Sequence, residues 1–331
     1  MPNSPNFQKI LIIQTAFIGD IALSVFFAND VRQLFPASEI TFLSTPIGCE
    51  LLQCFPFINR TIAFHKRTIH KGFSGIKAIA KQLNADAYDY VFVLHRSYRT
   101  AVLVQLLNAK IKIGFAANAL SFILSQRIAY RSELHEVERN KLLLSGIADL
   151  THLSGYHPLY INPTKPSEPY IAIAPGSVWA TKRWLPEYFA ELCKMLVNAG
   201  DAVTLIGAEN EIGVCNYIAS KANVPLTNLA GKTTISELLD VICHSQLLIT
   251  NDSAPTHFAS LCNTPTITIY GATTPQIGFA PLAEKSAIVE DTSVCCRPCG
   301  IHGRKKCPKK HFQCMQNITP DKVFFTVQSI I

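Results

Sequence analysis

Three short stretches carry side chains whose types and spacing could do chemistry. "TAFIGDIAL" (15–23) places one acid, Asp20, where the apolar run "KILIIQ" (9–14) gives way to a helix-like segment. A carboxylate there can cap the helix or take a proton from a bound hydroxyl. "GSVWATKRWLPEYF" (176–189) follows the apolar run "YIAIAP" (170–175). Gly176 lets backbone approach a ligand, Ser177 and Thr181 offer hydroxyls, and Lys182 and Arg183 offer positive charge ahead of a helix opening at Pro186. That set suits a phosphate, although a basic surface loop reads the same way. "NDSAPTHFASL" (251–261) follows "LLIT" (247–250). Asp252 and Ser253 stand before a helix opening near Pro255, whose N–H groups can hold a diphosphate, and His257 lies in its first turn.

Three further stretches stand out, two of them basic. Arg96 and Arg99 in "HRSYRT" (95–100) end a strand-like run and can grip carboxylates or phosphates bidentately, or simply open an exposed helix. "HEVERN" (135–140) either begins a helix or brings Glu136 and Arg139 to the site. "VCCRPCGIHGRKKCPKKHFQCM" (294–315) sets Cys296, Cys299, Cys307 and Cys314 at zinc-knuckle spacing. Structural zinc is one reading and reduced, redox-sensitive thiols the other; nearby Lys and Arg would lower the thiol pKa values. From Arg297 to Lys310 this segment has six Lys/Arg and no acid, a composition that could touch anionic lipid or acceptor.

The elements that must position these residues come in two similar series. Strand-like runs at 9–14, 39–45, 60–65, 88–95 and 112–115 alternate with helical patterns, the first helix starting at about Asp20. The second half repeats the rhythm with strands at 170–175, 202–207, 247–250 and 266–271 and helices at 186–199, 209–222, 234–245 and 255–262. Runs rich in Ile, Val, Leu and Phe suit strands buried on both faces, so the pattern predicts an α/β chain of two doubly wound parallel sheets. Thr319 and Pro320 announce a last helix. The Pro-rich stretch 156–169 marks the boundary between a domain at 1–160 and one at 166–331. Loops after the strands of both sheets are then expected to face a central cleft.

The bulk numbers narrow the function. At 331 residues and 48% hydrophobic, the chain suits two domains. Met1–Lys9 lacks an export signal and no uncharged apolar run reaches about 20 residues, so a soluble cytoplasmic protein with mostly reduced cysteines is expected. Residues 1–165 hold 17 Lys+Arg against 10 Asp+Glu, whereas residues 166–331 hold 13 of each, so the whole excess of +7 lies in the first half. That half suits an anionic partner. No G-x-G-x-x-G follows either first strand and no P-loop occurs, which argues against nicotinamide chemistry and P-loop hydrolysis. No nucleic-acid-binding motif occurs either.

Taken in order, "KILIIQTAFIGDIALS", "HRSYRTA", "HEVERN", "APGSVWATKRW", "TNDSAPTHFASL" and "IYGATTP" resemble glycosyltransferase family 9, the ADP-heptose:lipopolysaccharide heptosyltransferases, and most closely the heptosyltransferase II type. The resemblance spans nearly the whole chain. It implies a GT-B fold of two Rossmann-like domains, acceptor bound by the N-terminal one and nucleotide sugar by the C-terminal one. It implies an inverting, metal-independent transfer of heptose from ADP-L-glycero-D-manno-heptose to the anionic lipopolysaccharide inner core, with no cofactor. Asp20 matches the family's general base in an S-x-x-G-D loop that here begins with Ala16 and keeps Gly19. Lys182 matches a donor-contacting lysine. Asp252, Ser253, Ala254 and His257 match the donor loop, where Ala254 replaces a common Gly. Glu209 or Glu211 falls near the donor-binding acid, and Lys232 and Thr233 near the base. Gly19, Arg96 and Arg99 fall to the acceptor. Such an enzyme would work in the cytoplasm, with transient contact at the inner face of the inner membrane. Two alternatives stay open: a family 9 transferase for another nucleotide sugar or glycan, and a non-enzymatic binder of an anionic polymer.

Overall fold

The computed structural model describes residues 7–151, 153, 155–160 and 168–331. The chain divides into two compact units, Met1–Tyr156 and His157–Ile331. The break falls before residue 157 because the following backbone already belongs to the second unit. Leu159 and Tyr160 both donate to the Leu261 carbonyl, and the Tyr160 hydroxyl donates to Asp240 at 2.8 Å. Much of the expected linker, 161–167, lies outside the described residues.

The first unit contains β1 (Lys9–Ile13), β2 (Glu39–Ser44), β3 (Arg60–Ala63), β4 (Tyr88–Val93), β5 (Ala109–Phe115) and β6 (Gln126–Ile128), in the order β3-β2-β1-β4-β5-β6. Every pairing is parallel; on β1, Ile12 pairs with Phe42 on one side and Phe92 on the other. Helices α1 (Ile18–Leu34), α2 (Pro46–Leu52), α3 (Gly72–Asn84), α4 (Tyr98–Gln105) and α5 (Glu136–Lys141) connect or follow the strands. Leu11 and Ile13 join the buried cluster containing Ile79, Leu83 and Leu103, so helices α3 and α4 cover that face. On α1, Phe27 meets Phe92 edge to face with ring centroids 5.1 Å apart.

The second unit repeats this plan. Its strands are β7 (Tyr170–Ala174), β8 (Ala202–Leu205), β9 (Thr227–Asn228), β10 (Leu247–Asn251), β11 (Thr266–Tyr270) and β12 (Ser286–Glu290), in the order β12-β11-β10-β7-β8-β9. Counted within the unit, this is the same doubly wound order as the first sheet read from the other edge. The helices are α6 (Pro186–Asn198), α7 (Ile212–Ala222), α8 (Ile235–His244), α9 (Ala254–Cys262), α10 (Gln313–Gln316) and α11 (Pro320–Ile330). Trp184 is 1% exposed; its ring N–H donates to the Ile318 carbonyl at 2.8 Å and ties the entry of α6 to the chain's last turns.

The two-sheet α/β expectation holds. The differences lie at the ends of elements. Helix α1 starts at Ile18, two residues before the expected start. The expected helix at 209–222 opens as a 3-10 turn, Glu209–Glu211, before α7. Strands β6, β9 and β12 stand at or next to sheet edges and carry no strong apolar run.

Candidate active site

In each sheet the strand order reverses between the first and fourth strands of the unit, β1/β4 and β7/β10. Ligands of open α/β sheets bind at that switch point, outside the carboxyl ends of the strands. Four of the stretches singled out in the sequence follow these four strands.

In the second unit the β7 and β10 loops meet. Lys182 ends a 3-10 turn, and its ammonium pairs with Asp252 Oδ2 at 2.6 Å, the two side chains 14% and 7% exposed. Asp252 Oδ2 also accepts the Thr273 hydroxyl at 2.5 Å. Asn251, fully buried at the end of β10, staples the loops together: its amide donates to the Pro175 carbonyl at 2.8 Å and its oxygen accepts from the Trp184 N–H at 2.9 Å. Ser253 is the N-cap residue of α9, yet its hydroxyl makes no cap hydrogen bond and donates instead to the Asn251 carbonyl at 3.3 Å. Ala254 is the first residue of α9. His257 is buried one turn into the helix, its ring 6.1 Å from Phe279. Ser177 is buried on the β7 loop; Thr181 Oγ1 accepts from the Arg304 N–H at 2.7 Å. Arg183 turns back to the Ser177 carbonyl at 2.7 Å.

Of the two acids considered for the donor, Glu211 is the one against these loops. Its carboxylate lies where a Cβ on Gly176 would sit, so a side chain there would displace it, and it accepts from the Ala208 N–H at 2.9 Å. Glu209 is exposed. Lys232 donates to the Asn228 carbonyl at 2.9 Å and so closes its own loop. Half-buried Thr233 follows it.

In the first unit an open cavity of about 730 Å³ is lined by Thr15–Ile18 after β1, Thr45–Ile47 after β2, Phe64–Thr68 after β3, and His95 after β4. Gly19 and Asp20 follow its wall on α1. Asp20 stands in the first turn; the N-cap residue is Phe17, which has no side-chain cap hydrogen bond. The reading of Asp20 as the cap of α1 is therefore corrected: the helix begins too early for it. Lys66 donates to the Thr15 carbonyl, and burial, then the charges of Arg99 and Arg67, hold its ammonium below the ordinary value. His95 Nδ1 lies 2.8 Å from Thr15 Oγ1 and 3.1 Å from Thr100 Oγ1. Burial, then Lys66 and Arg96, pull this imidazole down to about 4, so it is neutral at pH 7.

The two arginines after β4 are engaged within the unit. Arg99 donates to the Lys66 carbonyl at 2.9 Å and fixes the loop carrying that cation. Exposed Arg96 lies 3.8 Å over the Tyr130 ring, against which Arg139 also packs at 4.7 Å. Arg139 pairs with Glu136 and donates to the carbonyls of Arg131, Ser132 and Leu134. Burial raises the Glu136 carboxyl, Arg139 lowers it and the Asp20 charge raises it again, to about 7.

The cysteine segment places its thiols in different surroundings. Among the described residues no group of three His, Cys, Asp or Glu side chains could hold a metal ion, and none of the eleven cysteines is in a disulfide. Cys314 is buried in the core of the second unit, and burial pushes it up to about 11. Burial opposes ionisation of Cys307, but N–H groups of Phe312, Lys309, Lys310 and His311 outweigh it and hold that thiol below its ordinary value. Cys296 Sγ faces His311 Nε2 at 3.7 Å, and Cys299 Sγ donates to the Cys296 carbonyl at 3.6 Å. The four sulfurs nevertheless lie within electrostatic reach of one another: Cys296, Cys299 and Cys307 all act on Cys314, and Cys296 and Cys307 on Cys299.

Sequence reasoning missed Asn251, Thr273, Lys66 and His95. Asn251, Thr273 and His95 lay inside quoted motifs, and a buried strand-end Asn beside a helix start was an available signal. Lys66 and His95 become site residues only through the packing of β1, β3 and β4.

Residues 76–311 match the family model for glycosyltransferase family 9 (heptosyltransferase). The chain is similar to lipooligosaccharide heptosyltransferase 2 of Campylobacter jejuni, 23% identical, with 98% of this chain and 99% of that one covered. Its fold is similar to that of Escherichia coli ADP-heptose lps heptosyltransferase II, TM-score 0.81 at 22% identity over 97% and 98% of the two chains. It is also similar to Escherichia coli heptosyltransferase WaaC with ADP-2-deoxy-2-fluoro heptose, TM-score 0.78 at 18% identity over 97% and 99%.

Proposed function

The chain belongs to glycosyltransferase family 9, and from that premise we propose that it transfers a heptose from ADP-heptose to the lipopolysaccharide inner core. The observation that carries the reading is the buried Lys182–Asp252 pair at the switch point of the second sheet, beside the start of α9. A buried cation beside a helix start is suited to a diphosphate. The names of the relatives supply the sugar: those proteins are heptosyltransferases.

In this reading the second unit holds the donor. Lys182 and the backbone at Ser253 and Ala254 face the diphosphate, with Ser177, Thr181 and His257 around it and Glu211 toward the sugar or ribose. Lys232 and Thr233 lie toward the base. The first unit holds the acceptor: Lys66 and Arg67 in the cavity wall, with Arg96 and Arg99 behind them, meet its carboxylates or phosphates. The acceptor hydroxyl attacks the anomeric carbon as the bond to the diphosphate breaks on the opposite face. Its proton passes to the Asp20 carboxylate, and ADP leaves with its growing charge held by Lys182. One displacement inverts the anomeric centre. The work is cytoplasmic, at the inner face of the inner membrane where such an acceptor lies; among the described residues no helix is long and apolar enough to cross a membrane.

The test is incubation of purified protein with ADP-heptose and inner core bearing no heptose or one heptose, following ADP release and acceptor mass. Addition of one heptose only to the pre-heptosylated core is expected. Addition to the bare core would make this a first-heptose enzyme. No transfer, with acceptors proven by another transferase, would overturn the heptose assignment.

A further inference from the structure

The Cys-rich segment touches the donor loops at both of its ends. At one end Arg297, its side chain 4% exposed, donates to the carbonyls of Gly271 at 2.6 Å and Thr273 at 2.8 Å and pairs with Glu290 at 2.7 Å. The Cys299 N–H donates to the Ala272 carbonyl at 2.8 Å. These bonds fix the turn after β11, whose Thr273 hydroxyl holds Asp252. At the other end Arg304 and Thr181 exchange two bonds: Arg304 N–H to Thr181 Oγ1 at 2.7 Å, and Thr181 N–H to the Arg304 carbonyl at 3.0 Å. Gly303 is buried between exposed neighbours. A Cβ there would run into Trp179 and come within 2.9 Å of Lys182 Cγ. The His302 ring stacks on Trp179 at 6.4 Å and 14°.

We propose that residues 297–304 form a clamp that sets Lys182 and Asp252 in register for the donor diphosphate, with Gly303 and Arg304 as its positioning residues. The contacts close a ring. Lys182 pairs with Asp252, Asp252 accepts from Thr273, and Arg297 grips the Thr273 backbone. Cys299 continues to Arg304, which returns through Thr181 to Lys182. The Arg304 Nε donates to the Cys299 carbonyl at 3.1 Å and keeps the span between the two ends short. The basic segment thus acts through its backbone, its glycine and the two arginine side chains, whatever its exposed lysines meet. The proposal rests on the donor-site reading above.

The experiment compares wild type with Gly303→Ala, using ADP as probe in titration calorimetry, donor and acceptor KM, and amide hydrogen exchange across residues 178–184. In Gly303→Ala the ADP Kd and donor KM are expected to rise about tenfold to a hundredfold, as for a displaced catalytic group. Acceptor KM stays unchanged, exchange at Thr181 quickens, and β7 and β10 stay protected. Lys305→Ala, on the same exposed turn, is expected to leave all of these unchanged. Wild-type ADP affinity in a folded Gly303→Ala would overturn the clamp alone. Loss of ADP binding in Lys305→Ala with Thr181 still protected would overturn it in favour of direct charge. Failure of wild type to bind ADP would overturn the donor-site reading and the clamp with it. Should Gly303→Ala not fold, Thr181→Val and Thr181→Ser take its place: exchange at Arg304 quickens only in the valine variant if the clamp is real, and equal exchange in both overturns it.

Discussion

Asp20 and its neighbours show how much one side chain's role depends on residues far along the chain. It sits in the first turn of α1, beside the cavity wall, and its charge reaches Glu136 on α5. Asp20→Asn keeps the shape and removes the base, so kcat is expected to fall about 10²- to 10⁴-fold. ADP affinity, measured by calorimetry, stays at the wild-type value; a parallel loss of ADP binding would remove Asp20 from catalysis. Two buried groups of the same unit then set opposite pH trends. His95 is depressed to about 4, so the unfolded chain binds its proton first as pH falls, and stability drops between about 6.5 and 4. Glu136 is raised to about 7, so the unfolded chain loses its proton first as pH rises from about 4.5, and stability drops until pH 7. In the shared window the two slopes oppose each other. Denaturant titrations across pH 4–8 are expected to show a steeper fall with rising pH in His95→Gln, and a steeper fall with falling pH in Glu136→Gln. Unchanged curves would show that neither group is perturbed as described.

At the scale of elements, the central strands and the edge strand β3 were legible, whereas the edge strands β6, β9 and β12 were not. Strands β1, β4, β7 and β10 are apolar runs covered on both faces, and sequence pattern finds such runs readily. At β9 only Thr227 and Asn228 pair, and β12 reads "SAIVE", half exposed, so neither offers a period to detect. The site was legible on the same terms. Loops that follow central strands could be named in advance, but the pairing of Lys182 with Asp252 emerges only from the fold. The Thr273–Asp252 bond and the Arg304–Thr181 exchange join residues 21 and 123 positions apart, which no local pattern encodes. Two helix starts use their polar residue differently. Thr234 opens α8 with a reciprocal capping box to Glu237, whereas Ser253 opens α9 with no cap bond. Thr234→Ala is thus expected to lower stability by about 1 kcal/mol. Ser253→Ala is expected to cost well under half of that while weakening ADP binding. Equal costs in chemical denaturation would mean that Ser253 is an ordinary cap.

At the scale of the whole molecule, one topology appears twice with different electrostatics. Both sheets share an order and a switch point, yet the first 165 residues carry a net +7 and the remainder zero. The cation of the proposed donor site is local and sheltered, since Lys182 is 14% exposed against its partner Asp252. The first unit spreads its cations over a wide surface, as exposed Arg96 beside the basic cavity wall illustrates. Sheltered pairs feel little screening, whereas exposed charges lose most of their reach once the Debye length shrinks from about 14 Å to about 4 Å. The two substrates should therefore respond differently to salt. Raising ionic strength from about 0.05 to about 0.5 M is expected to raise the acceptor KM severalfold while donor KM changes less than about twofold. Steady-state kinetics with one substrate saturating measures each separately. If the donor KM rose as steeply as the acceptor KM, charge would be guiding both ligands, and the excess on the first unit would not be what distinguishes them. If neither moved, the excess would be a solvated surface, and recognition of the acceptor would rest on the cavity's apolar wall of Phe17, Ile47 and Phe64.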